Sequence, residues 1–159
     1  MNVLFLCTGN SARSIMAECY LNHVGHGSFR AYSAGSSPKG EVHPLSLATL
    51  TAHGIPVGDV RSKSWDEFAT SDAPRMDLVV TVCDNAAAEA CPVWPAAPVK
   101  AHWSFPDPAA AEGTRAEQLA VFARVFASIR AAVDQLAALP VGQMDTATLK
   151  RRVAALGPR

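Results

Sequence analysis

Read for the first time, this 159-residue chain predicts an α/β domain, a parallel sheet covered by helices on both faces. Two observations predict it. Short apolar runs alternate with amphipathic stretches from the first residue onward. The strongest of the runs is continuously apolar and β-branched, as strands buried on both faces are.

Val3 to Leu6 reads as a buried strand that meets the loop Cys7-Thr8-Gly9-Asn10. Ser14 to Val24 reads as a helix, with Ile15, Cys19 and Leu21 on its apolar side. Phe29 to Ser33 reads as a second strand, closed by Gly35. His43 to His53 carries Leu45, Leu47, Ala48 and Leu50 and stops at Gly54-Ile55-Pro56, which is a helix with an ordinary stop signal. Ser64 is placed to cap a short helix running to Phe68. Asp77 to Val82 is the strongest strand signal, and Pro98 to Trp103 reads as one more strand. Leu119, Phe122, Phe126, Ile129, Val133 and Leu136 recur at three- and four-residue steps, so they line one side of a long helix. Pro140 and Gly142 break it. Leu149, Val153 and Leu156 stay in phase over a last short amphipathic helix, Asp145 to Leu156. Residues 1–139 are read as a single catalytic α/β domain and 140–159 as a C-terminal extension.

Lysine and arginine balance aspartate and glutamate at 14 against 14, which leaves no broad field for nucleic acid or an anionic membrane surface. No apolar run approaches the ~20 residues of a membrane span. Met1 to Leu6 lacks a basic leader and is too short for a signal peptide, so a cytoplasmic location is expected. Four cysteines in that compartment do not make a permanent disulfide scaffold. Reactive, metal-binding and core roles stay open for them.

Cys7 ends the first strand, and five residues separate it from Arg13. Gly9 and Asn10 tolerate positive φ, so the loop can curl with its N–H groups inward. The helix beginning near Arg13 attracts anions at its N-terminus. Arg13 can clamp two oxygens of a tetrahedral anion. Such surroundings are expected to favour the thiolate of Cys7, since they bring a thiol pKa from ~8.5 down to roughly 3.5–7.5. Ser14 can donate a hydrogen bond to the sulfur. The oxyanion cradle is therefore assigned to Thr8, Gly9, Asn10, Ser11, Ala12, Arg13 and Ser14, with Cys7 as nucleophile. Cys83 lies at the carboxyl end of a later strand, where ligands of such sheets gather, so the two sulfurs could meet.

The segment Phe5-Leu6-Cys7-Thr8-Gly9-Asn10-Ser11-Ala12-Arg13-Ser14, followed by Met16-Ala17-Glu18, resembles the low-molecular-weight protein tyrosine phosphatase superfamily, and within it the arsenate reductases. Tyr32-Ser33-Ala34-Gly35, Ser62-Lys63-Ser64-Trp65, Leu78 to Cys83, Cys91-Pro92, His102-Trp103 and Asp107-Pro108 follow in the order that family has. The resemblance covers roughly residues 1 to 139 and implies a three-layer fold with a four-stranded parallel sheet. It implies that Asp107, held between Pro106 and Pro108, is the general acid that protonates the leaving oxygen. It suggests that Asn10 and Ser33 hydrogen-bond within the catalytic loop.

Aromatic residues usually follow the Asp-Pro pair in the phosphatases, but here Ala109 and Ala110 do. That favours a small inorganic oxyanion over a phosphotyrosine ring, with phosphate or sulfate as mimics of arsenate. The resemblance to arsenate reductases further implies a relay. Cys7 attacks arsenate, Cys83 attacks Cys7 and releases arsenite, and Cys91 then takes the disulfide outward to an external reductant. Thioredoxin, or glutathione with glutaredoxin, would fill that last role; the seven residues between Cys83 and Cys91 leave the choice open. No cofactor or metal is implied.

Position 12 is Ala12, where the resembled phosphatases and many of the resembled reductases carry a second loop cysteine; that thiol is not the nucleophile, so its absence removes a side reaction. Helix throughout 83–91 would separate the two α-carbons by about 12 Å, beyond the roughly 7 Å a disulfide spans. A loop, or a short helix that unwinds on oxidation, is expected there. Cys19 is expected in the core. His102 could help line the site, although a histidine so placed is more often a satisfied structural residue. His23, His26, His43 and His53 share no spacing and are expected at the surface.

Overall fold

The computed structural model describes all residues except His26, Ala90, Cys91, Val93, Ala97 and Arg159. Four strands, β1 (Asn2–Cys7), β2 (Arg30–Gly35), β3 (Leu78–Thr81) and β4 (Val99–His102), form one sheet in the order β2-β1-β3-β4. Every pairing is parallel. Val3, Leu4, Phe5 and Leu6 are all fully buried, because side chains alternate between two covered faces.

The face that carries Val3, Phe5 and Val80 packs against α1 (Arg13–Val24), α2 (Pro44–Ala52) and α4, the 23-residue helix Arg115–Ala137. The stripe Phe122, Phe126, Ile129, Val133 and Leu136 is buried along α4. A reciprocal capping box between Thr114 and Glu117 starts that helix. The opposite face, with Leu4, Leu6 and Val79, is closed by Trp65 and Phe68 of a single 3-10 turn (Trp65–Phe68) together with Met76 and Trp94. Ser64 caps this turn.

A five-residue helix, α3 (Asp84–Ala88), follows β3, and the 3-10 turn Pro108–Ala110 follows β4. The last helix, α5 (Thr146–Ala154), is capped by the Asp145 carboxylate. It lies on Trp103, whose indole N–H donates to the Val153 carbonyl at 2.8 Å. Gly157 sits so close that an added Cβ would be 2.1 Å from Trp103 Cγ.

Chain order reverses between β1 and β3, so a topological switch point opens at their carboxyl ends. Cys7 ends β1, and Cys83 stands two residues beyond β3.

Candidate active site

The site begins where β1 can no longer continue as a strand. Asn10 adopts φ 46°, a left-handed turn open to asparagine at low cost. Gly9 does not take positive φ. Its bare Cα instead accepts the Lys39 stem, because a Cβ there would lie 3.2 Å from Lys39 Cε. Gly35, opposite Cys7 in the parallel register, lets β2 approach; a Cβ would sit 2.4 Å from the Thr8 carbonyl oxygen. Segment 36–39 is stitched along the outside of the loop. Ser36, Ser37 and Lys39 amides donate to the carbonyls of Cys7, Thr8 and Gly9 at 3.3, 2.9 and 2.9 Å.

The loop feeds α1, whose N-cap, Ala12, has no side chain to satisfy the first amides. An open helix N-terminus of that kind offers N–H groups and partial positive charge to an anion. Cys7, Thr8, Gly9, Ser11, Ala12 and Arg13 line a cleft of about 250 Å³ there, with Lys39, Asp107 and Ala109 among the residues at its mouth. Of the residues assigned to the cradle from sequence, Thr8, Gly9, Ser11, Ala12 and Arg13 line this cleft. Asn10 and Ser14 stand behind it instead of lining it.

Their work is on the sulfur. Cys7 Sγ lies 2.9 Å from Ser14 Oγ and accepts the Asn10 amide at 3.1 Å. Asn10 Nδ2 donates to Ser14 Oγ at 2.8 Å and to Ser33 Oγ at 3.0 Å, while its Oδ1 accepts the Lys63 amide at 2.9 Å. Ser33 donates to the Glu18 carboxylate. Polarity runs outward from Asn10 in both directions, toward Ser14 and the sulfur on one side and toward Ser33 and Glu18 on the other. Because Asn10 donates to Ser14, the Ser14 hydroxyl proton is free to point at the sulfur.

Glu18 and Lys63 form a buried ion pair at 3.7 Å, and Lys63 Nζ also donates to the Arg61 carbonyl at 2.9 Å. Burial raises Glu18 and lowers Lys63, each opposed by the partner's charge. Desolvation thus outweighs the attraction within the pair. The expected hydrogen bond between Asn10 and Ser33 is present, whereas the Glu18–Lys63 pair behind it was not anticipated from the motifs. The parallel pairing brings Ser33 to the end of the sheet that holds Cys7.

One expectation is corrected. The surroundings do not lower the Cys7 pKa: burial pushes the thiol above its ordinary value. The Ser14 hydrogen bond pulls it down, Cys83 pushes it up, and the amides of Asn10 and Ser14 pull it down again. Arg13 is turned elsewhere: Nη1 donates to the Phe105 carbonyl at 3.0 Å, and Nη2 lies 3.8 Å from Asp107 Oδ1. Its charge is committed across the mouth instead of focused on sulfur.

Asp107 caps the turn Pro108–Ala110 through the Ala109 amide at 3.0 Å and stands half exposed at the rim. Cys83 is buried and caps α3, its sulfur accepting the Ala86 amide at 3.4 Å and lying 3.8 Å from Thr8 Oγ1. The Thr8 hydroxyl also donates to Glu89 at 3.2 Å. Cys91 lies outside the described residues.

His102 turns away from the cleft. It bonds Thr81 Oγ1 at 2.7 Å and Asp84 Oδ1 at 2.9 Å, tying β3, β4 and α3 together. His43 is not a surface residue: half-buried, it caps α2 and rests its ring 4.9 Å from that of Phe122, because the helix start is pressed against α4. His23 and His53 are exposed, and His26 lies outside the described residues. Cys19 is buried in the core, which pushes its thiol up to about 12.

A doubly wound parallel sheet with a buried thiol at its switch point, ringed by a helix N-terminus and an arginine, defines an oxyanion-binding thiol protein. The family model for low molecular weight phosphotyrosine protein phosphatase matches residues 2–154, and the chain belongs to that family. An arsenate reductase of Shouchella clausii is 39% identical over 135 residues, 85% of this chain and 94% of that protein. A solved arsenate reductase in the phosphate-binding state superposes with a TM-score of 0.67 at 26% identity, covering 86% of this chain and 96% of that one. The thioredoxin-dependent arsenate reductase of Corynebacterium glutamicum superposes with a TM-score of 0.58 at 29% identity, covering 81% of this chain and 58% of that one.

Proposed function

We propose that this chain is an arsenate reductase that works by thiol chemistry at Cys7. The observation that carries the reading is a second buried cysteine, Cys83, whose sulfur lies 3.8 Å from Thr8 Oγ1, beside the cleft that Cys7 and Thr8 line. A phosphatase needs only Cys7.

Arsenate enters as a dianion and is held by the amides of the loop 8–14 and by Arg13. Cys7 is a thiol in the free site, so its proton passes to the bound dianion, and the thiolate then attacks arsenic. A sulfur–arsenic bond forms and an arsenic–oxygen bond breaks, with Asp107 protonating the departing oxygen to water. Cys83 as thiolate attacks Cys7 Sγ. The Cys7–Cys83 disulfide forms, and the sulfur–arsenic electron pair stays on arsenic, which leaves as arsenite. Cys91 attacks Cys83, frees Cys7 and presents a Cys83–Cys91 disulfide to an external dithiol. Because Cys83 is the N-cap of α3, that exchange is expected to unwind this short helix. Thioredoxin, or glutathione with glutaredoxin, supplies the electrons, in a reducing compartment such as the cytoplasm. Residues 1–139 would carry this chemistry, and 140–159 would be an extension that supports it.

Arsenite release measured with each reductant tests the relay. Cys83→Ser is expected to abolish release, and Cys91→Ser to release at most one arsenite per chain. Full multiple turnover by both variants would refute it. Hydrolysis of phosphomonoesters through a phosphocysteine is the second reading, favoured by the family match over residues 2–154. It predicts p-nitrophenyl phosphate turnover unaffected by either substitution.

A further inference from the structure

Arg13 is not the only cation at the cleft. Lys39 also lines it, from a segment that no part of the reading above uses. Three main-chain hydrogen bonds bind segment 36–39 to Cys7, Thr8 and Gly9, so the Lys39 backbone moves with the cradle. The aliphatic stem lies over the bare Cα of Gly9, where an added Cβ would be 3.2 to 3.5 Å from Cε, Cγ and Cδ. Glycine at position 9 therefore keeps a seat for this stem, since its φ demands nothing unusual.

Among the described residues Lys39 forms no ion pair, whereas Arg13 is engaged by the Phe105 carbonyl and faces Asp107. Burial first, and Lys39 second, hold His43 below the usual imidazole range, against the opposing pull of Asp107. Ala109 also lines the cleft and presents a methyl group and no ring. The rim thus offers an ammonium and no flat apolar wall.

We infer that Lys39 is a substrate-binding residue that selects free inorganic oxyanions over aryl phosphate esters. This deepens the oxyanion reading and rests on it. A free tetrahedral dianion carries charge on the oxygen that faces out of the cradle, and an ammonium at the rim can bind it. In an aryl ester that outward oxygen bears an apolar ring, which gains nothing from an ammonium and displaces its hydration.

The test uses Lys39→Leu and Lys39→Arg in the full chain. One arm follows alkylation of Cys7 by iodoacetamide, read peptide by peptide, against rising inorganic phosphate. The other compares kcat/KM for arsenate with kcat/KM for p-nitrophenyl phosphate. Lys39→Leu is expected to weaken phosphate protection roughly 10-fold and to lower the arsenate-to-ester ratio by a similar factor, the loss of one charge-assisted contact. Lys39→Arg is expected to restore most of both. An unchanged ratio, or equal losses for both substrates, would overturn the selection. Failure of phosphate to protect Cys7 in the unaltered chain would instead overturn the oxyanion site itself. Phosphate protection that weakens in Lys39→Leu, in a chain that never turns over arsenate, would support Lys39 as an anion-binding residue and sink the reductase reading alone.

Discussion

At Cys7, burial and hydrogen bonding oppose each other, and burial wins. A thiol only 3% exposed loses the hydration a thiolate needs, and two amides with one hydroxyl do not replace it. The sign follows: the free site holds a neutral thiol at pH 7, and the reactive form grows only as pH rises beyond the ordinary thiol range. Alkylation of Cys7 by iodoacetamide, with no anion present, is therefore expected to keep accelerating above the pH where an unperturbed thiol levels off. Ser14→Ala removes the largest contribution that lowers the pKa and is expected to slow alkylation at pH 7 about 10-fold. Mass spectrometry of the Cys7 peptide across a pH series reads both. A levelling near pH 8 would contradict the assignment. The motif Cys7 to Arg13 was legible as a cradle from residue types alone. The direction of the shift was not, because it depends on how deeply the fold buries the sulfur and on where Arg13 turns.

Elements place these residues. The β1–β2 pairing sets Gly35 beside Cys7, and the loop can curl only because no side chain stands at position 35. Gly35→Ala would press a methyl group against the Thr8 carbonyl, and the backbone on both sides must move. Turnover is expected to fall about 100-fold, the scale of a misplacement near 1 Å, and the melting temperature is expected to fall as well. Steady-state kinetics beside a thermal melt would separate this from simple unfolding. Strand and helix positions were readable from apolar periodicity, and Ser64 as a cap from its residue type. The element after β3 was readable only as loop or short helix. It is a five-residue helix whose N-cap is Cys83 itself, so the proposed second nucleophile is also the residue that holds its own segment in place. A cap hydrogen bond to sulfur leaves no mark in composition.

In the whole molecule, the C-terminal segment closes the β4 edge of the sheet. Trp103 is fully buried beneath α5 and Gly157, and Ser104 donates to the Pro158 carbonyl at 2.8 Å. Gly157→Ala would drive a methyl group into the indole. Overpacking of that kind costs about 1–3 kcal/mol, which corresponds to roughly 2–12 °C in melting temperature for a chain of this size. Calorimetry would show it, and an unchanged melting temperature would mean that the segment does not bear on Trp103. Arsenite release well below the new melting temperature is expected to stay near its original rate. The apolar phase of α5 was visible as Leu149, Val153 and Leu156, but a phase says only that a helix has an inward side. Which surface it covers was settled by Trp103.

By itself the sequence determined what local chemistry determines: the order of strands and helices, their direction, and a cysteine-to-arginine loop whose residue types suit an anion. Each of these is carried by neighbours in the chain, within the reach of one turn or one strand. Only the tertiary structure decided that Glu18 and Lys63 extend the expected Asn10–Ser33 contact into a polar network behind the Cys7 sulfur, that Lys39 lies over Gly9, and that Cys83 comes to Thr8. Those contacts join residues far apart in sequence. Their distances follow from the register of the parallel sheet and the depth of its covering layers.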